Sequence, residues 1–385
     1  MNLALLAACA LVAQQVHRVH ATQGPFHEIR DAVAAAADGD VVLVAPGQYG
    51  YFGVIGKGLT ILPQTAGVIR VTGTVRVLDV PAGQSVTLKG LTLNGQTGND
   101  GPLRCASSAG AIRIEDCRVQ SNIGYGAYIT DCADIALLDF VTTSGLTGLH
   151  AVDSNVSLFG GTYVGQSMAG TPFGSPGWPG IEVRRSHLIA SGVHAVGGDG
   201  GEEETWVWTC IAPAGPGGNA ILAHDSAVEL LDASLVPGLG GIPWSGYCPP
   251  APLAPPVGAH GATTVTWHAG RDLTLVASST GHVVGGSTLF VTLIGEVGAS
   301  SVLLVGPSAA RAAVPGLAGA LLVGGGLGAV RRIPLGPAPA VRSFSLPPLP
   351  GAYDIGVFWL QAMQVQGTGI VLGPPRHLTV LGAGW

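Results

Sequence analysis

Apolar residues at alternate positions mark a short strand-like segment that recurs along most of the chain. A period of two is typical of a strand with one buried face. The shorter spacings between segments, about 21 to 26 residues, fit one coil of a parallel β-helix, whose coils bury their apolar faces against each other. The marker pairs are Val86/Leu88, Ile112/Ile114, Ile135/Leu137, Val156/Leu158, Leu188/Ala190, Val228/Leu230 and Leu273/Leu275.

The later spacings are longer, about 32 to 45 residues, which indicates loops inserted into the coils. These loops span 166–180, 197–219 and 237–261. All three leave their coils at the same phase of the repeat. We therefore expect them to project from one corner of the stack and to meet there.

The region before the first marker pair predicts a lid over the first coil. Residues 28–37 carry helix formers with apolar residues at i and i+4, and residues 41–49 form a strand pattern closed by a turn. The intervening Asp38-Gly39-Asp40 and the later Lys57-Gly58-Leu59-Thr60-Ile61 complete the pattern. This passage resembles the opening of the pectate-lyase-like superfamily of right-handed parallel β-helix proteins.

The resemblance implies an all-β fold, with a right-handed parallel β-helix over 22–284 and an N-terminal capping helix. It implies little about chemistry, because this fold hosts lyases, hydrolases and adhesins alike. From about Gly285 the coil pattern fades, and other strand patterns predict a C-terminal β-sandwich-like domain over 285–385. Its ending, with residues 359–362 and 377–381, resembles a C-terminal module of exported bacterial β-helix proteins.

Charge and composition narrow the possible partners. Only 10% of the residues are charged, the net charge is −6, and the two lysines are Lys57 and Lys89, so we expect no nucleic-acid partner. The apolar run 312–330 contains six glycines, which favours strands over a membrane-spanning helix. No transmembrane span is expected.

The first 21 residues predict an export signal. Residues 1–21 combine an apolar run with the small-residue pattern Val19-His20-Ala21, although no basic residue precedes the run. The alternatives are a buried N-terminal helix and a start codon placed too early. Cleavage after Ala21 would give a protein that is secreted, extracellular or in the cell envelope.

The cysteines could form disulfides or bind a metal, and one acidic run could bind a cation. Cleavage leaves five cysteines, of which Cys210 and Cys248 lie in two inserted loops and are predicted to form a disulfide. No Cys/His cluster has zinc spacing, so no metal centre is expected. Asp199, Glu202, Glu203 and Glu204 offer oxygen ligands for calcium, but their spacing matches no defined loop, and a solvated charge run is the other interpretation. We expect no cofactor.

Aligned coils place several charged side chains in columns across the strands. His150 and Glu182 share one column, while Asp131, Arg184 and His224 share another that Val152 interrupts. His150, Glu182, Arg184 and His224 are the candidate catalytic residues, since a carboxylate beside His and Arg supports proton transfer next to an anionic sugar. The alternative is mutual neutralisation on an exposed sheet.

The same alignment puts Asp153, Arg185 and Asp225 in an alternating-charge ladder, and Asp116 with Asp139 in a solvated turn. The inserted loops carry the candidate ligand-binding aromatics, which could stack on glycans or form a satellite core. These are Trp178, Trp206, Trp208, Trp244 and Tyr247.

Two functions of different classes follow. The first is a non-catalytic secreted or cell-envelope protein with a structural, adhesive or carbohydrate-binding role, whose partner is a polysaccharide or cell-surface glycan. The alternative is a polysaccharide lyase or glycoside hydrolase that acts on an extracellular polysaccharide.

Overall fold

The fold was analysed in a computed structural model of the chain. It describes residues 14–95, 101–121, 124–143, 145–171, 174–206, 209–243, 248–249, 251–268, 274–276, 282–284, 288–294, 299–306, 308–312, 317–318, 321–324, 328–335, 339–345, 355–366 and 369–381. These residues are mainly β-strand. One helix, α1 (Ile29–Ala35), occurs among them and packs against the first strands through buried Ile29, Ala32 and Val33.

Up to residue 268 the chain forms one short strand after another, each of three to thirteen residues. In chain order they are β1 (Val16–Val19), β2 (Val41–Val44), β3 (Gly47–Gly50), β4 (Gly53–Ile55), β5 (Leu59–Pro63), β6 (Ile69–Thr72), β7 (Val75–Leu78), β8 (Ser85–Lys89), β9 (Leu91–Gly95), β10 (Leu103–Glu115), β11 (Arg118–Ser121), β12 (Ala127–Leu138), β13 (Val141–Thr143), β14 (Leu149–Val152), β15 (Asn155–Phe159), β16 (Thr162–Val164), β17 (Ile181–Arg184), β18 (His187–Ser191), β19 (His194–Val196), β20 (Glu204–Trp206), β21 (Thr209–Ala212), β22 (Ile221–His224), β23 (Ala227–Leu231), β24 (Ser234–Val236), β25 (Val257–His260) and β26 (Thr264–His268).

Apart from the antiparallel pair β20–β21, these strands build two long parallel sheets that the chain visits in turn. One sheet has sixteen strands, with the path β1-β2-β5-β8-β10-β12-β14-β17-β22-β25, and the other has the order β24-β19-β16-β13-β11-β9-β6-β3. Each strand pairs with its equivalents one coil earlier and one coil later. We call this region, residues 16–268, the parallel stack.

The apolar marker positions set the register of the stack. Ile112 pairs with Ile135 in the next coil, and the same column continues through Val156, Leu188 and Val228 in successive coils. The pairing then ends at Val265, because Leu275 lies in a strand that pairs antiparallel elsewhere. Inward side chains from all coils form one continuous core cluster, as the repeat predicts.

Left-handed residues turn the chain at two corners of each coil. Such a conformation is rare for residues other than glycine, and short polar residues tolerate it best. Asp116 and Asp139 occupy one corner, and Asp131, Asp153 and Arg185 another, with φ between 47° and 52°. Aligning the coils by sequence predicts that Asp131 shares a column with Val152 and Arg184. In the structure Thr130 occupies that column, because it pairs with Val152, and Asp131 lies one residue further on, at the corner.

The described parts of the inserted loops lie side by side and build a glycine-rich lobe, which we define as residues 166–171, 174–180, 197–202, 213–219 and 236–241. Backbone hydrogen bonds between these segments recur every third residue, as in the threefold extended helix of polyproline II type. The N–H groups donate to carbonyls in the pairs Gly198→Trp178, Gly201→Ser175, Gly218→Gly198, Gly215→Gly201, Gly238→Gly218 and Gly241→Gly215. Only glycine fits at such contacts, since an added Cβ would collide with neighbouring backbone.

The remaining strands form smaller, mostly antiparallel sheets. They are β27 (Thr274–Val276), β28 (His282–Val284), β29 (Thr288–Ile294), β30 (Ser300–Gly306), β31 (Ser308–Ala312), β32 (Leu317–Ala318), β33 (Leu321–Gly324), β34 (Gly328–Pro334), β35 (Ala340–Ser345), β36 (Ile355–Gln366) and β37 (Gly369–Leu381). Because β27 pairs antiparallel with β29, these C-terminal strands begin before the predicted boundary at 284, and the last described strand of the parallel stack is β26.

The C-terminal strands pack on an outer face of the parallel stack. Strand β31 contacts β10. The outward Leu138, Phe159 and Ile189 form a separate buried cluster on the stack. Arg376 of β37 is 7% exposed, donates to the Leu275 carbonyl at 2.8 Å and forms an ion pair with Asp139. Asp139 lies at an exposed corner of the coil, as predicted, with its side chain 49% exposed, and it also joins the stack to the C-terminal strands.

The N-terminal segment departs from the export prediction in one respect. Strand β1 pairs parallel with β2, and its Val19 is fully buried. Cleavage after Ala21 would remove this strand from the edge of the sheet. Residues 1–13, which carry the apolar run, lie outside the described residues.

No helix among the described residues is long and apolar enough to cross a membrane. The described parts of the apolar run 312–330 are strands, including β32 and β33, as its glycine content predicts.

Candidate functional site

A groove runs between the outward face of strands β14, β17, β22 and β25 and the glycine-rich lobe. Its cavity measures about 680 Å³. The sheet supplies the polar floor and the lobe supplies a wall of proline, glycine and tryptophan. The lining residues are Tyr125, His150, Pro176, Gly177, Trp178, Pro179, Glu182, Arg184, Pro216, Gly217, Gly218, Asn219, Leu222 and His260.

Strand register brings three of the four candidate catalytic residues onto the groove floor. His150 pairs with Glu182 in the adjacent coil, and Arg184 pairs with His224. Because the period along each strand is two, Glu182 and Arg184 point to the same face. His224 continues the Arg184 column one coil further, between Arg184 and His260, and is not itself one of the lining residues.

Glu182 is the centre of the polar floor. Its side chain is 7% exposed, its Oε2 lies 3.1 Å from His150 Nδ1, and its Oε1 accepts hydrogen bonds from Arg184 Nε at 2.8 Å and Nη2 at 2.6 Å. Burial alone would raise the pKa of Glu182, but His150 and Arg184 outweigh it and lower this pKa. Glu182 is therefore an ionised carboxylate with both oxygens occupied.

Aromatic rings line the start of the groove. Tyr125 stacks on His150 with a centroid separation of 4.6 Å, and Tyr128 stacks on the same imidazole at 5.4 Å. Burial, with a smaller contribution from the Glu182 charge, raises the pKa of Tyr125. The imidazole of His150 is thus fixed in plane by two rings and one carboxylate.

Two histidines extend the floor along the stack. His224 pairs with His260 in the next coil, and their rings stack at 4.9 Å. Burial, together with the positive charge of Arg184, lowers the pKa of His224. His224 is therefore uncharged at neutral pH.

Trp178 lies on the lobe wall of the groove and is partly exposed. Its backbone N–H donates to the Gln166 carbonyl at 3.1 Å, and its carbonyl accepts from Gly198 at 2.8 Å. These bonds tie the tryptophan to two strands of the lobe. The side chain of Trp206 and the whole of Trp208, Trp244 and Tyr247 lie outside the described residues.

The predicted disulfide between Cys210 and Cys248 is present, and it joins the second inserted loop to the third. Among the described residues, the other cysteines are Cys105, Cys117 and Cys132, which are free thiols inside the parallel stack. Burial raises the pKa of the Cys117 and Cys132 thiols to about 12. These thiols are consequently unreactive at neutral pH.

The acidic run at the second loop has structural contacts instead of a defined cation site. Asp199 Oδ1 accepts a hydrogen bond from the Leu239 N–H at 2.8 Å, and Glu203 is buried. Within the described residues, no group of three or more His, Cys, Asp or Glu side chains is arranged to hold a metal ion.

In the charge ladder, Arg185 forms a bidentate ion pair with Asp153 at 2.8 and 2.7 Å.

Sequence reasoning missed Tyr125, His260 and the lobe backbone as parts of the site. His260 could have been predicted from the sequence, because it follows His224 in the same column. The lobe also had a signal, namely glycines spaced by three residues, such as Gly174, Gly177 and Gly180. Tyr125 lies at a corner before β12, where no periodicity predicts side-chain direction.

No protein-family model matches the chain, and a search of curated proteins also found no match. Among solved structures, a rhamnogalacturonan lyase is similar to part of it. The identity is 11%, the alignment covers 56% of this chain and 74% of the lyase, and the TM-score is 0.22. Similarity at this level assigns neither a family nor an activity to the chain.

Proposed function

We propose that this chain is a secreted carbohydrate-binding protein that holds a glycan in the groove between the sheet and the glycine-rich lobe. The observation that carries the proposal is the placement of Trp178 and Tyr125 in one groove with the Glu182–Arg184 pair. Sugar rings present apolar C–H faces to aromatic rings and hydroxyl groups to planar charged groups. The groove offers both kinds of contact within one cavity.

The fold belongs to the same proposal. We infer that the parallel stack is a right-handed β-helix, with α1 covering its first coil. This architecture fixes strands of neighbouring coils about 4.8 Å apart. A groove that crosses several coils therefore suits an extended polymer better than a small compact ligand.

The lobe supports a binding role by its rigidity. Its segments are tied to one another by backbone hydrogen bonds at every third residue, and the Cys210–Cys248 disulfide joins the second inserted loop to the third outside these segments. A preformed wall costs little conformational entropy when a ligand binds. Trp178 is held on this wall by its own backbone bonds.

Titration calorimetry against a panel of plant and bacterial polysaccharides tests the proposal. We expect Trp178→Ala to weaken the binding of the recognised polysaccharide by at least about tenfold, since an aromatic anchor in a pocket is a typical hot spot. Trp267→Ala is the matched control, because Trp267 is 59% exposed on β26 and does not line the groove. Absence of binding to every polysaccharide, or equal affinity of the two variants, would reject the proposal.

Glycan cleavage is the second candidate, and the His150–Glu182 contact favours it. A carboxylate that accepts from one nitrogen of an imidazole orients the other nitrogen as a general base. In this arrangement His150 is the proton acceptor and Glu182 positions it, because both Glu182 oxygens are already occupied. Product formation by the wild-type protein, lost in His150→Ala, would support cleavage; no product from any bound polysaccharide would reject it.

A further inference from the structure

We propose that the groove selects uncharged glycans and discriminates against acidic ones. This inference rests on the proposed function and specifies the ligand class of the same groove. It follows from how the charged side chains of the groove floor are already engaged with one another.

The first step is the charge balance of the lining. Among the described lining residues, Glu182 and Arg184 are the acidic and basic side chains apart from histidines. They form one ion pair, with Arg184 Nη2 and Nε both directed at Glu182 Oε1. The pair has no net charge and attracts an anion far more weakly than a free guanidinium would.

The second step is the cost of releasing Arg184. Glu182 is 7% exposed, so it would remain as a buried carboxylate with only the His150 contact if Arg184 turned to a sugar carboxylate. Arg184 is itself 46% exposed, so the cost falls mainly on Glu182, whose buried charge would lose its guanidinium partner. The carboxylate of an acidic glycan would therefore face a guanidinium that remains bound to Glu182.

The third step concerns the neighbouring groups. His224 is uncharged at neutral pH because burial and the Arg184 charge lower its pKa. The facing lobe wall presents proline, glycine, Trp178 and Asn219, none of which carries a charge. The Asn219 side-chain amide already donates to the Pro255 carbonyl at 2.7 Å.

The experiment compares acidic polysaccharides with their carboxyl-reduced forms, which have the same backbone without the charge. Polygalacturonate, alginate and glucuronoxylan serve as the acidic probes in titration calorimetry. We expect the wild-type protein to bind a reduced form at least about tenfold more tightly than its acidic parent. Raising sodium chloride from about 0.05 to about 0.5 M should leave that affinity nearly unchanged, since no ionic contact is screened.

Glu182→Gln tests the mechanism, because it removes the negative charge and leaves Arg184 unneutralised. We expect this variant to gain at least about tenfold in affinity for the acidic form, with binding that weakens as salt rises. Glu229→Gln is the matched control, since Glu229 binds His187 and His268 outside the groove. It should retain the wild-type preference.

The outcomes separate the two proposals. Preference of the wild-type protein for the acidic forms, with salt-sensitive binding, would overturn this inference and leave glycan binding in place. Failure of every acidic and reduced form to bind, together with absence of binding to the whole polysaccharide panel, would overturn the proposed function itself, and this inference with it. The wild-type measurements decide the point even where Glu182→Gln does not fold.

Discussion

Replacing Gly218 with alanine tests whether the lobe is held together by backbone contacts that exclude side chains. A Cβ at this position would lie 2.6 Å from the Trp178 carbonyl carbon and closer still to its oxygen, where ordinary contacts begin at 3.4 Å. One of the two segments must therefore move by about an ångström. Overpacking of this size costs about 1–3 kcal/mol.

The same movement breaks two hydrogen bonds. Gly218 N–H donates to Gly198 at 2.7 Å, and the Gly218 carbonyl accepts from Gly238 at 2.9 Å. Each is worth about 1 kcal/mol net, and the reduced freedom of the unfolded chain returns about 0.4–1 kcal/mol. We expect a local destabilisation of about 2–4 kcal/mol, confined to the lobe and to the groove wall that contains Trp178.

Hydrogen exchange measured by mass spectrometry checks this expectation. Lobe amides should lose protection by about two orders of magnitude, while amides of the parallel stack around Ile135 stay protected. Gly53→Ala is the control, because the nearest atom to its added Cβ is 3.6 Å away. Unchanged lobe protection in Gly218→Ala, or equal effects of the two variants, would refute the reasoning.

Three further expectations concern other contacts. Burial alone would raise the pKa of Asp40, but hydrogen bonds from the Gln15 and Ala37 backbone and from His17 lower it. The ionised Asp40 carboxylate therefore stabilises the fold above its ordinary pKa of 3.8, and this contribution is lost as pH falls through the lower folded-state pKa. Thermal unfolding should show Asp40→Asn less stable than wild type at pH about 7, with the difference shrinking below pH about 4; a constant difference would contradict this. Arg376→Met should destabilise the docking of the C-terminal strands by about 1–3 kcal/mol, seen as faster exchange in β27, because the Leu275 carbonyl and Asp139 lose their donor; unchanged exchange would count against it. The Cys210–Cys248 disulfide closes a separation of 38 residues, so replacing both cysteines with serine should lower the stability of the second and third inserted loops by about 4 kcal/mol through loop entropy. Reductant should lower the stability of the wild type but not that of the variant.

The core register of the stack could be predicted from the sequence because it depends on a strong repeated signal. Inward positions such as Ile135, Val156 and Leu188 must be apolar in every coil, so aligning them reproduced the observed pairing. That alignment also brought His150 next to Glu182. It failed at Asp131, because the corner of that coil contains one more residue than the corner of the next.

The wall of the groove could not be predicted in the same way. Threefold extended segments carry no hydrophobic period, and their contacts run through backbone atoms that all residues share. Their one signature is glycine at every third position, as at Gly215 and Gly218, and this pattern also fits ordinary turns. The pairing of Asp139 with Arg376 could not be predicted either, since it joins residues 237 positions apart through the docking of strands that do not belong to the repeat.

One corner of the coil has a consequence for how such a protein can change. The link from β13 to β14 is short, whereas the equivalent links from β16 to β17, from β19 to β22 and from β24 to β25 carry the inserted loops. The strands on either side keep the same pairing in every case. New recognition surfaces can therefore be exchanged or grafted at this corner, by natural variation or in the laboratory, while the underlying scaffold and its floor residues stay as they are.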